Sequence, residues 1–306
     1  MLTLSVALSA RGIIADISWV FEIQRYLYSS SRNIWQNQAD CVAYDEQLIY
    51  KPKNGTCEFN NLEFKTRLNF SDSGRSTGTK PEGDPIVVLG DSFAMGWGVN
   101  DDETFSARLE KITGRPIYNL AVSSYGTVRE LLRLEKSGLQ EKAEIIVIQY
   151  CYNDKEENVR FKIPTSSEAS EKFKTIQSRN SLNSFTARFN HFFRAYKFSF
   201  LQPLKPIRKA LMGDAIAFGP HYEPLMKALK KSSALKNKHF IIFYSNAYGR
   251  HFRNFPKGRD KQMPNVYFVD LELDAKDYYY LDGHLTSSGH KRIASKLAEV
   301  LKTQGR

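Results

Sequence analysis

The stretch PIVVLGDSF, residues 85–93, decides the fold class of this chain. A short apolar run rich in β-branched residues leads into Gly90, and a polar turn with Asp91 and Ser92 follows. A continuous apolar run of this length is typical of a strand buried on both faces, as in a parallel sheet. A serine just past such a strand, at the start of a helix, exposes its hydroxyl and leaves its backbone N–H free to donate.

Four apolar runs downstream repeat the pattern of that strand. They are PIYNLAV at 116–122, AEIIVIQY at 143–150, HFIIFYS at 239–245 and NVYFVDL at 265–271. Segments with helical periodicity alternate with them, and the last, residues 287–303, is amphipathic. This alternation predicts an α/β fold with a doubly wound, mostly parallel sheet and helices on both faces. Functional groups are expected to gather at the carboxyl ends of its strands.

Two segments fall outside this alternation. Residues 1–80 form an N-terminal extension with one predicted helix, and a polar stretch rich in Ser and Gly leads from it into the main domain, residues 81–306. Inside the main domain, residues 155–236 form a basic and aromatic insertion between the third and fourth predicted strands. An insertion of this size is a candidate lid or docking surface, and extra helical packing is the simpler interpretation.

The chain has three cysteines, two of which bracket a short polar and aromatic segment. A disulfide between Cys41 and Cys57 would stabilise a segment with little core of its own, and it would require an oxidising compartment. Two unpaired thiols in a cytoplasmic protein are the alternative. Cys151 follows an apolar run and is predicted to be a buried small hydrophobe.

The N-terminus allows two interpretations. Residues 1–10, MLTLSVALSA, are similar to the apolar part of an export signal, but they lack a basic start and are followed by Arg11. Residues 13–28 place apolar side chains at helical spacing, which predicts an amphipathic first helix. Both interpretations stay open.

The charge balance is basic, with 44 Lys and Arg against 33 Asp and Glu and a net charge of +11. This excess suits an anionic surface such as an acidic glycan or a membrane face, and a basic surface without a partner is the alternative. The sequence contains no zinc-ligand spacing, RNP-like strand or glycine-rich phosphate loop. We therefore predict no nucleic-acid partner.

Three predicted strand ends carry groups that can donate hydrogen bonds into one pocket. Ser92 offers a backbone N–H after the first strand, Gly126 follows the second, and Asn153 follows the third. A glycine lets a reacting oxygen approach its N–H, and an asparagine amide donates from its side chain. Together they predict an oxyanion hole, which stabilises the charge on an attacked carbonyl. A turn glycine and a helix-capping Asn153-Asp154 pair are the alternatives.

A fourth group precedes the last predicted helix. Of six histidines, only His284 lies just before that helix with a carboxylate, Asp282, two residues earlier. Serine is a poor nucleophile at its own pKa and needs a neutral imidazole to take its proton. The pattern predicts Ser92 as nucleophile, His284 as base and Asp282 as the group that orients the base. His290, inside the helix start, is predicted to cap or to pack.

These blocks resemble those of the SGNH, or GDSL-like, hydrolase superfamily. GDSF with Ser92, NLAVSSYGT with Gly126, YND with Asn153 and DGH with His284 stand in the family's order, and the resemblance covers about residues 84–303. It implies a flavodoxin-like sheet and a Ser-His-Asp triad, with no metal and no other cofactor. It also implies ester hydrolysis or acyl transfer on small acyl groups.

The position of the acid departs from the family pattern. The family usually places it three residues before the histidine, where this chain has Leu281. Here it lies two residues before, at Asp282, as in some acetyl-transferring relatives that act on bacterial exopolysaccharides. Asp277 or a backbone carbonyl are alternatives for orienting the ring. The N-terminal region with its paired cysteines also resembles SGNH proteins of bacterial envelopes, which implies a periplasmic or otherwise extracytoplasmic location.

Three functions are compatible with the resemblance. The favoured one is a serine hydrolase that removes O-acetyl groups from a carbohydrate, with an acylated small molecule or polysaccharide as substrate. The second is an O-acetyltransferase that modifies an envelope or exopolysaccharide glycan, because the same triad serves both reactions. The third is a catalytically silent glycan-binding protein, and retention of all four blocks argues against it.

Overall fold

The computed structural model of the chain describes most of the predicted α/β domain. The described residues are 21, 24–25, 27–29, 32–78, 81–151, 154–178, 222–231, 235, 237–247 and 255–305. The predictions made for residues 1–20, for Asn153 and for residues 179–221 of the insertion lie outside these ranges.

Within the described ranges, five strands precede residue 86, and the chain from residue 86 onward contains both strands and helices. The strands are β1 Val42–Asp45, β2 Ile49–Pro52, β3 Gly55–Asn60, β4 Lys65–Ser71, β5 Gly74–Arg75, β6 Ile86–Leu89, β7 Ile117–Asn119, β8 Ile145–Tyr150, β9 His239–Tyr244, β10 Gly258–Arg259 and β11 Val266–Val269. The α-helices are α1 Ser92–Met95, α2 Phe105–Thr113, α3 Thr127–Ser137, α4 Leu139–Lys142, α5 Asp154–Arg160, α6 Ser166–Ser178, α7 Glu223–Lys231 and α8 Ser287–Thr303. Short 3-10 turns lie at Trp35–Asn37, Asp101–Glu103 and Ala275–Asp277.

In the part of the chain that the structure describes, nine strands form one sheet in the order β10-β11-β9-β8-β6-β7-β5-β4-β3. Its centre is the parallel run β7-β6-β8-β9-β11, which consists of the five strands predicted from the apolar runs. The α/β class with a flavodoxin-like sheet is therefore confirmed. The register pairs Ile86 with Ile145 and Leu89 with Ile148, so the carboxyl ends of β6 and β8 lie side by side.

Alternate side chains of the central strands pack on opposite faces of the sheet. Ile86 and Val88 belong to one hydrophobic cluster, Val87 and Leu89 belong to the other, and all four are fully buried. Side chains of α2 and α8 contribute to the first cluster, and side chains of α3 and α7 contribute to the second. Burial on both faces is the reason that the strand sequences are continuously apolar.

Polar residues mark the ends of the helices that flank the site. The Thr104 side chain accepts the Ala107 N–H at the start of α2, and Gly114 ends that helix with φ 67. The Thr286 side chain caps α8 through the Gly289 N–H. No helix within the described ranges is both long and apolar enough to cross a membrane.

The residues before position 80 add antiparallel strands to the same sheet. β3, β4 and β5 extend it beyond β7, and β5 joins β7 through the single pair Arg75 and Asn119. β1 and β2 form a separate two-stranded hairpin. The sheet is therefore mixed, with a parallel centre and antiparallel strands at both ends.

The N-terminal region also contains a disulfide. The structure joins Cys41 to Cys57, which lies on β3, and leaves Cys151 outside the disulfide as a buried thiol. The two half-cystines are 16 residues apart. Closing a loop of that size removes conformational entropy from the unfolded chain and stabilises the native state by about 3 kcal/mol.

We expect thiol titration of the unreduced, denatured protein to find one free thiol, Cys151. Replacing both Cys41 and Cys57 by serine should lower the free energy of unfolding in urea by about 3 kcal/mol, because the unfolded chain regains that entropy. The matched control, Cys151→Ser, keeps the loop closed. Three free thiols in protein exported to an oxidising compartment would contradict the pairing.

Candidate active site

The turn after β6 presents Ser92 at the carboxyl end of the sheet. Ser92 is the first residue of α1, and the Asp91 carboxylate caps this helix by accepting the Phe93 N–H at 2.9 Å. Gly90 has φ 149, and a Cβ there would lie 2.7 Å from the side-chain oxygen of Gln149, so the turn requires glycine. The same Gln149 oxygen accepts the Asp91 N–H at 3.0 Å, which ties the turn to the neighbouring strand β8.

His284 lies in the loop before α8 and faces Ser92. Its Nε2 is 2.7 Å from the Ser92 Oγ, and its Nδ1 is hydrogen-bonded to the Oδ1 of Asp282. The Phe93 ring packs on the imidazole with the ring centroids 4.6 Å apart. Because the carboxylate can only accept, Nδ1 keeps its proton and donates it in this hydrogen bond. Nε2 is therefore the unprotonated nitrogen that can receive the serine proton.

A tight turn brings Asp282 and His284 together. The Tyr279 N–H donates to the His284 carbonyl at 2.8 Å, and the Gly283 N–H donates to the Tyr279 carbonyl at 3.0 Å. Gly283 has φ 79, a conformation that glycine adopts without cost. This turn allows an acid two residues before the histidine to reach the imidazole.

Asp282 is a buried and ionised carboxylate. Burial by itself would raise its pKa, but the charge and hydrogen bond of His284, followed by those of Arg32, hold the pKa of Asp282 well below its ordinary value. Its side chain has no exposed surface. At neutral pH it therefore places a negative charge next to the imidazole, which stabilises an imidazolium as it forms.

The N-terminal region holds the other oxygen of Asp282. Oδ2 accepts a hydrogen bond from the Tyr28 hydroxyl at 2.9 Å and another from Arg32 Nη1 at 2.6 Å. The Glu63 carboxylate accepts the backbone N–H groups of Leu281 and Asp282 at 2.9 and 2.6 Å. The sequence did not reveal these three residues, because they precede Asp282 by 254, 250 and 219 positions and no local spacing links them.

The structure gives the Gly126 N–H a protein partner. It donates to Glu157 Oε1 at 2.9 Å, and the Glu157 carboxylate is held by the guanidinium of Arg129. A Cβ at position 126 would lie 2.8 Å from the Glu157 Cβ, so the glycine permits this approach. The predicted role of Gly126 in an oxyanion hole therefore requires that Glu157 first move away.

The loop before Gly126 contains a strained residue that the sequence did not single out. Ser124 has φ 63, which costs a non-glycine residue on the order of 1 kcal/mol. The Gln36 amide from the N-terminal region bonds the hydroxyls of Ser123 and Ser124, each at 3.1 Å, and the Tyr50 hydroxyl donates to the Ser123 carbonyl at 2.7 Å. Strained backbone of this kind clusters at functional sites.

Two buried carboxyls follow the strands that carry the site. Burial is the largest effect on Glu130 of α3 and on Asp154 of α5, and it raises the pKa of each well above its ordinary value, together with the charge of neighbouring carboxylates such as Asp91. The Asp154 carboxylate accepts the Cys151 N–H at 3.0 Å at the end of β8. The raised pKa values favour the protonated, neutral form of both groups.

Asp277, an alternative for the acid, lies elsewhere in the structure. Its carboxylate accepts the Ser288 hydroxyl at 3.0 Å and pairs with Arg292, so it supports the start of α8. Asn153 lies outside the described residues, and its predicted amide contribution stays a prediction. Among the residues that the structure describes, no group of three His, Cys, Asp or Glu side chains is placed to hold a metal ion.

His290 packs inside the domain. It is fully buried, and its Nδ1 accepts the Phe105 N–H at 3.1 Å. Burial, followed by the charges of Arg75 and Arg108, lowers the pKa of His290 to about 3. It is therefore neutral at physiological pH and links α8 to the start of α2.

Arg75 from the N-terminal region organises the segment that follows α1. The guanidinium donates to the carbonyls of Met95 and Val99 at 2.6 Å, and its Nε donates to the Asp101 carboxylate at 2.9 Å. The Gly96 carbonyl is a further acceptor. The Arg75 side chain has no exposed surface, so these hydrogen bonds are shielded from water.

We expect Arg75→Ala to lower the free energy of unfolding by about 4 kcal/mol, because it leaves a carboxylate and several buried carbonyls without a donor. Urea denaturation measures this change. Arg75→Lys should recover less than half of the loss, since an ammonium lacks the fork of the guanidinium. The matched control is the exposed Arg67→Ala, for which we expect a change below about 0.5 kcal/mol. A loss of under 1 kcal/mol in Arg75→Ala would contradict the role of this network.

Residues 86–297 match the model of the GDSL-like lipase/acylhydrolase family. This chain belongs to that family. The matched residues run from β6 into α8, and they include Ser92, Asp282 and His284. No curated protein matches this GDSL-like hydrolase.

Solved structures that resemble this GDSL-like hydrolase share little of its sequence. A lipolytic protein of the G-D-S-L family from Desulfitobacterium hafniense DCB-2 is 14% identical, over 72% of this chain and 100% of that one, with a TM-score of 0.36. A family two carbohydrate esterase from Clostridium thermocellum, in complex with cellohexaose, is 14% identical over 75% and 67%, with a TM-score of 0.38. The acetylxylan esterase Axe2 from Geobacillus stearothermophilus is 13% identical over 72% and 94%, with a TM-score of 0.33.

Proposed function

We propose that this GDSL-like hydrolase is a serine esterase. Ser92 Oγ bonds to the carbonyl carbon of an ester while its proton passes to His284 Nε2. The imidazolium then gives that proton to the leaving oxygen, and the alcohol departs from an acyl-serine. The observation that carries the proposal is the 2.7 Å contact between Ser92 Oγ and His284 Nε2, with Asp282 on the other ring nitrogen.

Water completes the cycle in this proposal. It gives one proton to His284 Nε2 as its oxygen bonds to the acyl carbon. The same proton returns to Ser92 Oγ when the bond between that oxygen and the acyl carbon breaks. A carboxylic acid leaves, and the serine and imidazole regain their starting protonation states.

Backbone donors stabilise the oxyanion that forms on the carbonyl. Ser92 lies at the start of α1, so its N–H has no acceptor inside the helix. We propose that this N–H and the Asn153 amide donate to the oxyanion. The Gly126 N–H would join them after Glu157 leaves it, and each donor contributes on the order of 100- to 1000-fold in rate.

We propose an O-acetylated carbohydrate as the substrate, in the bacterial periplasm or elsewhere outside the cytoplasm. Two features support this choice. The disulfide between Cys41 and Cys57 suits an oxidising compartment. The net charge of +11 favours association with an acidic glycan or the anionic surface of a membrane.

Acetate release tests the substrate proposal. We would compare an O-acetylated polyuronate with an O-acetylated neutral xylan, using p-nitrophenyl acetate as the general ester. The expected result is acetate release from all three, with a preference for the polyuronate at low salt that disappears at about 0.5 M NaCl through screening. If only p-nitrophenyl acetate is hydrolysed, the esterase proposal stands and the proposal of a carbohydrate substrate is refuted. Acetyl appearing on an added glycan acceptor, instead of free acetate, would establish an O-acetyltransferase.

A further inference from the structure

The second oxygen of Asp282 has two donors that the proton transfers described above do not use. Only Oδ1 contacts His284, whereas Oδ2 accepts hydrogen bonds from the Tyr28 hydroxyl at 2.9 Å and from Arg32 Nη1 at 2.6 Å. Both donors lie before the disulfide in sequence, and the acid lies just before α8. The carboxylate is therefore shared between the catalytic base and a distant part of the chain.

We propose that Arg32 and Tyr28 are positioning residues for the catalytic acid, so that the N-terminal region forms part of the active site. This inference rests on the proposed esterase function. The Asp282 side chain has no exposed surface, and that of Arg32 is 23% exposed. While both donors are in place, Oδ2 is shielded from solvent, so the protein and not water supplies its hydrogen bonds.

The contacts fix both the side chain and the backbone of the acid. A carboxylate bonded at one oxygen can still rotate about its own axis, but donors at both oxygens define its plane. The Glu63 carboxylate accepts the N–H groups of Leu281 and Asp282, which holds the backbone from the same region of the chain. A catalytic group fixed in this way keeps the imidazole aligned, and misalignment by about 1 Å costs roughly 100-fold in rate.

Among the residues that the structure describes, five titratable or charged groups from four elements contact or interact electrostatically with Asp282 or His284. Tyr28 and Arg32 come from the N-terminal segment, Glu63 from the loop between β3 and β4, Tyr279 from the loop before α8, and His290 from α8 itself. Of these five, Arg32 is the one that brings a permanent positive charge into contact with the acid.

Tyr28 acts as a donor throughout the working pH range. Burial is the largest cause that raises the pKa of Tyr28, and the charge of Asp282 adds to it. The phenol therefore keeps its proton and donates to Oδ2. Removing the Tyr28 hydroxyl leaves the net charge of the site unchanged, whereas removing the Arg32 guanidinium takes away one positive charge.

The positive charge of Arg32 has a predictable effect on the pH profile. An imidazolium at His284 is attracted by Asp282 and repelled by Arg32. Without the guanidinium, this repulsion disappears and the Asp282 carboxylate is no longer paired with Arg32. Both changes favour the protonated imidazole. Because the reaction needs the neutral base, the acid limb of the kcat/KM profile should move to higher pH.

The experiment compares wild type, Arg32→Ala and Tyr28→Phe, with Arg67→Ala as the matched arginine control in the same region. kcat/KM for p-nitrophenyl acetate is measured from pH 4.5 to 9, with and without about 50 mM guanidinium and with NaCl at equal ionic strength. Circular dichroism and urea denaturation check that each variant is folded.

We expect Arg32→Ala to lose about 100-fold in kcat/KM and its acid limb to move up by about 1 pH unit. Guanidinium, but not NaCl, should restore part of the rate. Tyr28→Phe should lose roughly 3- to 10-fold, with a smaller shift in the same direction. The Arg67→Ala variant should keep the wild-type rate and profile.

Two results in the Arg32→Ala variant would overturn the inference while the esterase stands. One is a folded Arg32→Ala variant with the wild-type rate and acid limb. The other is an equal loss at every pH that guanidinium does not restore, which would show a structural role only. If Arg32→Ala does not fold, an unchanged rate and profile in Tyr28→Phe would overturn it. Wild type that neither hydrolyses esters nor reacts with a fluorophosphonate would instead refute the esterase and, with it, the inference.

Discussion

Replacing Ser92 by alanine is expected to lower kcat for p-nitrophenyl acetate by about 10⁴- to 10⁶-fold. The structure places the Ser92 Oγ 2.7 Å from His284 Nε2, at the first residue of α1. The variant removes the atom that would bond to the acyl carbon and leaves the remaining contacts of the triad in place. The residual rate should approach that of water attacking an ester held in the pocket.

The control for this variant is Ser167→Ala, at an exposed position in the first turn of α6. It should retain the wild-type kcat, and both variants should unfold at the wild-type urea midpoint. A Ser92→Ala enzyme within about tenfold of wild type would show that another group is the nucleophile. In that case the contact between Ser92 and His284 would have no catalytic meaning.

Asp282→Asn is expected to lower kcat by about 10⁴-fold. Oδ2 of the acid faces Tyr28 and Arg32, and a guanidinium has donors but no acceptor. The asparagine must therefore turn its carbonyl toward Arg32 and its NH₂ toward His284 Nδ1. That arrangement places the imidazole proton on Nε2, where it blocks proton transfer from Ser92.

The control is Asp270→Asn, an exposed carboxylate that pairs with Lys257 at the surface. It should keep the wild-type activity. NMR of the imidazole nitrogens can check the proposed tautomer directly, since the proton should move from Nδ1 to Nε2 in Asp282→Asn. A variant that keeps more than about a tenth of wild-type kcat would refute the assignment of Asp282 as the orienting acid.

The parallel core could be predicted from the sequence because burial on both faces of the sheet restricts its strands to apolar residues. Strands such as β6 and β8 are covered on both faces, so every position is apolar and the run stands out from its surroundings. The contact between Ser92 and His284 was also predictable, because each residue lies next to an element with a strong local signal. Asp282 is two residues from His284 and could be paired with it from spacing alone.

The N-terminal strands were not predicted, although β4 alternates exposed and buried residues as a half-buried strand does. Their place in the main sheet has little local signal, because β5 has only two residues and its junction with β7 is a single residue pair. The partners of Asp282 were hidden for a different reason. Tyr28, Arg32 and Glu63 meet the acid only through tertiary packing across more than 200 residues.

At Gly126, a prediction made from local sequence differs from the structure because a distant residue accepts the backbone N–H. A free backbone N–H was expected there, but a carboxylate from α5 occupies it. The sequence near Gly126 does not predict the contact with Glu157, which lies 31 residues further along the chain. The availability of that donor depends on the position of α5, and the preceding Asn153 lies outside the described residues.

The most direct test of the central claim is labelling by a fluorophosphonate, read by intact mass and peptide mapping. We predict one adduct per chain, on Ser92. It should be absent in Ser92→Ala, and in His284→Ala it should form at least about 100-fold more slowly, because the serine loses its base. No adduct on the folded wild type, or an adduct on another residue that persists in Ser92→Ala, would contradict the account of Ser92 as a nucleophile activated by His284.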